Sequence, residues 1–341
     1  MNYRVAVMPG DGIGVEVMAE ACRVLEAVAE GFTLEFAELS VGANEYLANG
    51  DPLPPATLER AQTYDAILLG AMGLPHVRWP NGTEMTPQID IREKLDLYLG
   101  LRPIRLIHES LSPLKGYTAG QIDFLLIREN TEGLFFSRGK EHPADAPFVE
   151  DIMHVSRVRS ERLFRRAFQH ARVRRKKVTL VDKANVLPSM AYFRRIFLEI
   201  AADYPDVATE CVYVDAMALY LITRPQAYDV IVTENMFGDI LSDLAAGLIG
   251  GMGYAPSADI GDKWAVFQPS HGTAPDIAGQ GLANPVAMIL SAAMMLDWFG
   301  TEATRAAARR IERAVEAVDY KSIVGTKVIM GHLLEALSEC K

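Results

Sequence analysis

Residues 228–253, YDVIVTENMFGDILSDLAAGLIGGMG, decide the fold. The run 229–233 is apolar and β-branched, which predicts a short buried strand. The chain then turns into a helix whose first turns carry Asp239 and Asp243. Four residues apart, the two carboxylates project from one helix face. Like charges at that spacing cost roughly 0.2–0.5 kcal/mol on a bare helix, so something should compensate. A hard divalent cation such as Mg2+ or Mn2+ does so, because it takes oxygen ligands. The alternative is that both carboxylates face water and favour the positive end of the helix. The remainder of the helix, LAAGLIGG, is largely apolar and predicts burial.

The surrounding chain has 341 residues, 50% hydrophobic and 23% charged, enough for one large or two medium domains of ordinary globular composition. A net charge of -10 argues against a nucleic-acid or anionic-membrane partner. The basic segment 157–177 is the local exception; Leu163, Phe164, Ala167 and Phe168 fall at helical spacing within it, predicting a helix with a solvated basic face. Cys22, Cys211 and Cys340 are far apart and form no CxxC, so neither a disulfide framework nor a thiolate zinc site is indicated. The N-terminus enters a strand at once, without a signal-peptide layout, and the apolar run 286–296 is too short to span a bilayer. The expected compartment is the cytoplasm.

Outward from the deciding stretch, strands and helices alternate, which predicts a largely parallel sheet covered by helices. Residues 3–8 form a strand, 10–14 a GDGIG turn and 15–29 an amphipathic helix. The dinucleotide fingerprint is poorly matched there. Its third glycine would fall at Val15, and Glu35 and Glu38 lie inside the next strand pattern rather than after it. The turn is therefore either a departing Rossmann site or a tight turn beside a ligand. Residues 34–39 and 65–70 read as strands and 55–62 as a helix. Arg92 falls on a helix and Arg102 at the start of the next strand; both are either surface residues or parts of a carboxylate clamp, since guanidinium binds carboxylate bidentately. Strand 123–128 ends in Arg128, at the strand end where ligand groups gather in α/β folds. Strand 178–182 delivers Lys183, a candidate general base whose pKa burial or a nearby cation can lower. Strand 210–214 delivers Asp215. Three strands thus end in Lys183, Asp215 and the Asp239/Asp243 pair. Residues 269–285 make a long Gly/Pro-rich loop, a length that is uncommon unless the loop binds something. Helical periodicity resumes over 286–299, 301–320 and 327–339.

The motifs GDGIG (10–14), IREKLDLYLGLRP (91–103), RENTEG (128–133), DKANVL (182–187), YVDAMA (213–218), TENMFGDILSD (233–243) and HGTAPDIAGQGLANP (271–285) follow in order across the chain. In that order they resemble the β-decarboxylating dehydrogenases, the family of isopropylmalate, isocitrate, homoisocitrate, tartrate and D-malate dehydrogenases. In length the chain is nearest the isopropylmalate branch. The resemblance implies two α/β domains sharing a large central mixed sheet, not a standard Rossmann fold. One domain would comprise 1–97 with 247–341, on the cofactor side. The other would comprise 98–246, for substrate and dimerisation, with an interlocking arm near 130–155. It further implies a homodimer with shared active sites acting on a small 2-hydroxy acid by NAD-dependent oxidation and decarboxylation. By position, Arg92, Arg102 and Arg128 would hold the malate carboxylates. Asp239 and Asp243, joined by Asp215 of the partner subunit, would bind Mg2+ or Mn2+. Lys183, also from the partner, would take the hydroxyl proton. NAD would lie on His271, Gly272, Thr273, Ala274, Pro275, Asp276 and Ile277, with Asn284 near the adenine. Asp276 would face the adenosine ribose and favour NAD over NADP, because a carboxylate accepts from a free 2′-hydroxyl and repels a 2′-phosphate.

The chain departs from the family in places. Phe135 stands where the family has the tyrosine that protonates the enol, and Phe has no proton to give. Gln268, before Pro269, stands where the family usually has Glu. The family reads the C3 substituent with the first turn of the helix bearing Arg92, and the isopropylmalate branch has an apolar patch there. This chain offers Thr86, Gln88 and Ile89. If Thr86 and Gln88 face the substrate they favour a polar substituent and penalise a plain isopropyl group, as in a tartrate, D-malate or isocitrate-like enzyme; otherwise Thr86 caps the helix and Gln88 faces solvent. From a different class, a catalytically impaired regulatory paralog fits the loss of the tyrosine, and the intact set of Lys183, three aspartates and three arginines argues against it.

Overall fold

Strands and helices alternate along much of the described chain, which closes on three successive helices. The computed structural model describes every residue except 141, 144, 322 and 341. The strands are β1 Asn2–Met8, β2 Thr33–Glu38, β3 Ala66–Leu69, β4 Leu99–Arg105, β5 Asp123–Glu129, β6 Lys177–Asp182, β7 Ala208–Tyr213, β8 Val230–Thr233, β9 Pro256–Ile260 and β10 Ala265–Pro269. The helices are α1 Gly14–Val28, α2 Ala43–Asn49, α3 Pro55–Ala61, α4 Pro87–Lys94, α5 Arg157–Arg172, α6 Pro188–Ala201, α7 Val214–Thr223, α8 Asn235–Leu248, α9 Val286–Phe299, α10 Glu302–Ala317 and α11 Thr326–Glu339. The central mixed sheet numbers ten strands, the large α/β sheet that the family resemblance implied.

Two compact units divide the chain. The first comprises Met1–Leu97, Leu106–Gly120 and the chain from Ala246 onward. Its strand order is β2-β1-β3-β10-β9, parallel throughout except for the antiparallel β10/β9 pair. β3 is buried at every position, as a parallel strand covered on both faces must be. α1 buries Val17, Met18, Ala21, Val24, Leu25 and Val28, one helical stripe. α9 is apolar nearly all round and almost wholly buried, packing against α1, α10, β9 and β10.

The second unit comprises Tyr98–Arg105 and Gln121–Ala245. Its order is β4-β5-β8-β6-β7, with β4/β5 antiparallel and the rest parallel. Ser156 caps α5 by accepting the N–H of Arg159. α5 buries Leu163, Phe164, Ala167, Phe168 and Ala171 against α6, including the Phe164–Phe193 and Phe168–Phe197 ring contacts. The basic face expected for this segment is outward, where Arg157, Arg165 and Arg172 pair with Glu199, Asp203 and Asp206. Among the described residues, no helix is long and apolar enough to cross a membrane.

Candidate active site

Four charged groups of the second unit gather where β4, β5 and α8 meet. β4 and β5 pair with Gly100 opposite Arg128 and Arg102 opposite Leu126. Side chains alternate along a strand, so Arg102 and Arg128 are diagonal neighbours on one face. Both are buried. Arg128 gives Nε and Nη2 to Asn235 Oδ1 at 3.0 and 2.7 Å and Nη1 to Asp239. Asn235 in turn donates to the Glu132 carbonyl at 3.0 Å. Asn235, the first residue of α8, carried no sequence signal of this task beyond its place in TENMFGD. Gly238 permits the close approach, because a Cβ there would come 2.7 Å from Arg128 Cγ.

Asp239 and Asp243 lie on one face of α8, as their spacing predicts. Burial pushes the Asp243 carboxyl up, and the Asp239 charge adds to the shift, while Arg128 and Arg102 oppose it. Two oxygen donors held together at an electrostatic cost suit a divalent cation, whose charge would relieve that cost. Among the described residues, no three His, Cys, Asp or Glu side chains gather into a metal-holding group. Asp215 sits with Lys183 instead, its Oδ1 2.5 Å from Lys183 Nζ. The lysine holds the Asp215 carboxyl below the usual range. The turn presenting Lys183 is fixed by buried Asp182. It accepts Arg194 Nε and Nη2 at 2.7 and 2.6 Å and the Ala184 N–H at 2.9 Å.

The first unit carries the remaining groups. Thr86 occupies the N-cap position of α4 without a capping bond from its side chain. Gln88 Oε1 is buried and has no hydrogen-bond partner. Arg92 is buried and gives Nε to Asp259 Oδ2 at 2.8 Å. Asp259 is a partner that sequence patterning missed, because its position on β9 reads as core.

The loop between β10 and α9 is seated by the GDGIG turn. Ile13 N–H donates to the Thr273 carbonyl at 2.9 Å, and Thr273 Oγ1 donates to the Gly73 carbonyl at 2.7 Å. A Cβ on Gly12, whose φ is +57°, would collide with the Thr273 carbonyl. The glycines thus serve the packing of this loop. Asp11, fully buried, accepts the N–H groups of Ala43, Asn44 and Gly73 and starts α2. Ala274 turns the loop with φ +36°. Gly272, Pro275 and Asp276 are exposed and Ile277 half-buried. Asn284 accepts the Val286 N–H at 3.0 Å at the start of α9. His271 Nδ1 lies 2.9 Å from the Gly272 carbonyl, so that nitrogen carries the hydrogen. Burial holds the imidazole below its usual pKa, and buried Nε2 is left as an acceptor without a partner. An orphaned acceptor beside an exposed backbone turn fits a nucleotide that carries N–H and O–H donors.

Comparison with known proteins gives a consistent answer. The isocitrate/isopropylmalate dehydrogenase family profile matches residues 4–338. The chain is 42% identical to a 3-isopropylmalate dehydrogenase of Aquifex aeolicus, covering 100% of this chain and 98% of that one. It is 46% identical to one of Priestia megaterium, with 93% and 88% covered. An isocitrate dehydrogenase structure from Methylococcus capsulatus superposes with a TM-score of 0.89 at 38% identity, covering 98% and 99%.

Proposed function

The chain belongs to the isocitrate/isopropylmalate dehydrogenase family, and on that premise we propose how its residues divide the work. It is a β-decarboxylating dehydrogenase performing an isopropylmalate dehydrogenase-like oxidative decarboxylation. The substrate is a malate-type 2-hydroxy acid, whose carboxylates go to Arg92, Arg102 and Arg128. Asp239 and Asp243 of one copy and Asp215 of a second hold Mg2+ or Mn2+. Lys183 of the second copy takes the hydroxyl proton. Bound there, the cation would acidify the hydroxyl and stabilise the negative charge left by CO2 loss, while NAD would receive the C2 hydride. The arginines orient the carboxylate that leaves. Residues 1–97 with 247–341 serve the cofactor, and 98–246 serve substrate and dimer, with an arm near 130–155 of which residues 141 and 144 lie outside the described residues. His271 Nε2 accepts from the cofactor, and Asp276 selects NAD over NADP. Pairing of two copies is supported by exposed Leu219, Ile222 and Ile240 on α7 and α8 and Phe148, Val149 and Ile152 in the arm. Three unpaired cysteines fit a reducing cytoplasmic setting.

The C3 substituent is polar in this proposal. The observation that carries it is the buried, unpartnered Gln88 Oε1 on the first turn of α4. Leaving such a group unpaired costs about 1–3 kcal/mol, and a substituent able to bond it removes that cost. A second reading, 3-isopropylmalate itself, is favoured by the names of the 42–46% identical relatives. A panel of 3-isopropylmalate, tartrate, D-malate and isocitrate, following both NADH and CO2 with NAD+ or NADP+, decides between them. The polar reading expects a polar-substituted malate to lead, with NAD+ preferred. A roughly tenfold or greater lead for 3-isopropylmalate, about 1.4 kcal/mol of transition-state preference, establishes the second reading.

A further inference from the structure

Asp11 is the charged residue of the GDGIG turn, and the proposed division of work gives its side chain no task. The carboxylate is 0% exposed and accepts three backbone N–H groups. Oδ2 takes those of Ala43 at 2.7 Å and Gly73 at 2.9 Å, and Oδ1 takes that of Asn44 at 2.9 Å. Two of these bonds start α2. The third fixes the first residue of segment 73–86, which leads into α4. That segment closes on itself. Gly73, at φ +101°, lies so near Met85 that a Cβ there would be 3.8 Å from the Met85 carbonyl oxygen, and Arg78 pairs with Glu84 at 2.8 Å. Buried Val77 and Met85 pack with Ala43 of α2, and Tyr46 of α2 meets the Trp79 ring edge-on at 5.3 Å. Asp11 therefore holds the segment twice, at Gly73 directly and at Val77 and Met85 through α2. The Gly73 carbonyl in turn accepts the Thr273 hydroxyl at 2.7 Å. The Thr273 carbonyl accepts the Ile13 N–H at 2.9 Å, two residues from Asp11. These bonds close a circuit from the turn through the segment to the loop between β10 and α9, and back to the turn.

We propose that Asp11 and the Thr273 hydroxyl are positioning residues for the end of the hydroxy acid that Gln88 reads. Segment 73–86 delivers Met85 and Thr86 to the first turn of α4, where Gln88 stands. A compact loop of this length keeps its shape when its ends meet and its own side chains pack, and here both conditions depend on Asp11. A carboxylate suits the task because its two oxygens take three N–H donors at once, more than a hydroxyl or a side-chain amide can accept. Thr273 serves the same end. Its hydroxyl is directed to Gly73, so this side chain supports the hydroxy-acid side although the loop around it is assigned to NAD. A misplacement of about 1 Å in a positioning group can cost about a hundredfold in rate, so the anchoring bears on selectivity. The link to selectivity rests on the proposed role of Gln88.

The test compares native protein with Thr273→Val, Thr273→Ser, Asp11→Asn and Gln88→Leu. Hydrogen–deuterium exchange is followed over residues 74–86, with α2 and α9 as references. NADH Kd is taken from fluorescence titration. KM is measured for tartrate and for D-malate, which has no C3 substituent, at saturating NAD+ and Mn2+. Thr273→Val removes a hydroxyl at nearly constant shape. It is expected to speed exchange over 74–86 roughly fivefold or more with α9 unmoved, the scale of one lost hydrogen bond. The tartrate to D-malate ratio of KM should rise about fivefold, while NADH Kd stays within about twofold of native. Thr273→Ser keeps the hydroxyl and should match native within about twofold in each measurement. Asp11→Asn should speed exchange over both α2 and 74–86. Unchanged exchange over 74–86 in Thr273→Val, or a rise shared equally by α9, overturns the anchoring. A rise confined to α2 in Asp11→Asn limits Asp11 to that helix and also overturns it. Weaker NADH binding by Thr273→Val with the KM ratio unmoved, while Gln88→Leu moves that ratio, assigns the hydroxyl to the cofactor and defeats the proposal. If Gln88→Leu itself leaves the ratio unchanged, the reading of Gln88 fails instead, and exchange over 74–86 still decides the anchoring.

Discussion

Phe135 has its ring centroid 5.3 Å from the guanidinium carbon of Arg128. A cation over an aromatic face gains about 0.5–2 kcal/mol, so the ring steadies an arginine assigned to substrate. It cannot supply the proton that the family tyrosine gives to the enol. Tyrosine would keep the ring and add the donor. Phe135→Tyr is therefore expected to raise decarboxylating turnover while leaving single-turnover NADH formation little changed. Unchanged enol release and overall rate in the variant would show that protonation has another source or is not limiting. Glu129, enclosed at the end of β5, gives a pH prediction. Burial pushes its carboxyl up to about 7, although the Thr131 hydroxyl and the N–H groups of Thr131 and Glu132 pull the other way. The folded pKa exceeds the unfolded value of 4.5, so the native state holds the extra proton between them. Stability from this group is full below 4.5 and is lost as pH rises through about 7, by roughly 3 kcal/mol. In urea unfolding at fixed protein concentration, native protein should lose that much relative to Glu129→Gln between pH 4.5 and 7.5. A constant difference across that range would show that Glu129 is ionised throughout.

At the scale of elements, α8 depends on Gly238. A Cβ there meets Arg128 at Cγ and Cβ, atoms close to the backbone that cannot swing aside. Gly238→Ala is expected to shift the helix or the arginine and raise KM for the hydroxy acid by about tenfold, while the NAD+ KM stays within about twofold. Equal rises in both would show a general loss of folding rather than a displaced arginine. Such elements were legible to different degrees. The deciding strand and helix declared themselves through β-branched residues followed by carboxylates at i,i+4, and the structure has β8 and α8 there. α1 and α5 were equally clear from their apolar stripes, and α9 from its continuous apolar run. α6 has such a stripe too, at Met190, Phe193, Ile196, Phe197 and Ile200, whereas α2 carried no comparable signal. α2 is only seven residues long and is started by Asp11, thirty-two positions away, through bonds that no local pattern encodes. The role of GDGIG was equally hidden. Its glycines answer to the backbone of Thr273, and local spacing shows only that a turn is needed.

For the whole molecule, the candidate residues Arg128, Lys183 and Asp215 were legible because each stands at a strand's C-terminal end, Asp239 and Asp243 through their helical spacing, and all through motifs whose order matches one family. Their long-range partners were not. Asn235 and Asp259 hold Arg128 and Arg92 from positions distant in sequence, and only the fold brings them together. The placement of Lys183 beside Asp215, with Asp239 and Asp243 gathered around Arg128, leaves two partial sites within one chain. A second copy completes both if each contributes its Lys183 and Asp215 to the other. Lys183→Ala and Asp239→Asn should then each be inactive as homodimers, through loss of the proton acceptor and of an anionic ligand. The direct measurement is metal-dependent NADH formation by the two variants after co-assembly into hybrid dimers. One of the two sites in each hybrid would contain Asp239 from one chain and Lys183 from the other, both native. With random pairing, about a quarter of all sites regain function, so activity should return to roughly a quarter of native. Hybrids as inactive as both parents, with mixed dimers demonstrated by mass, would contradict an active site shared between two copies.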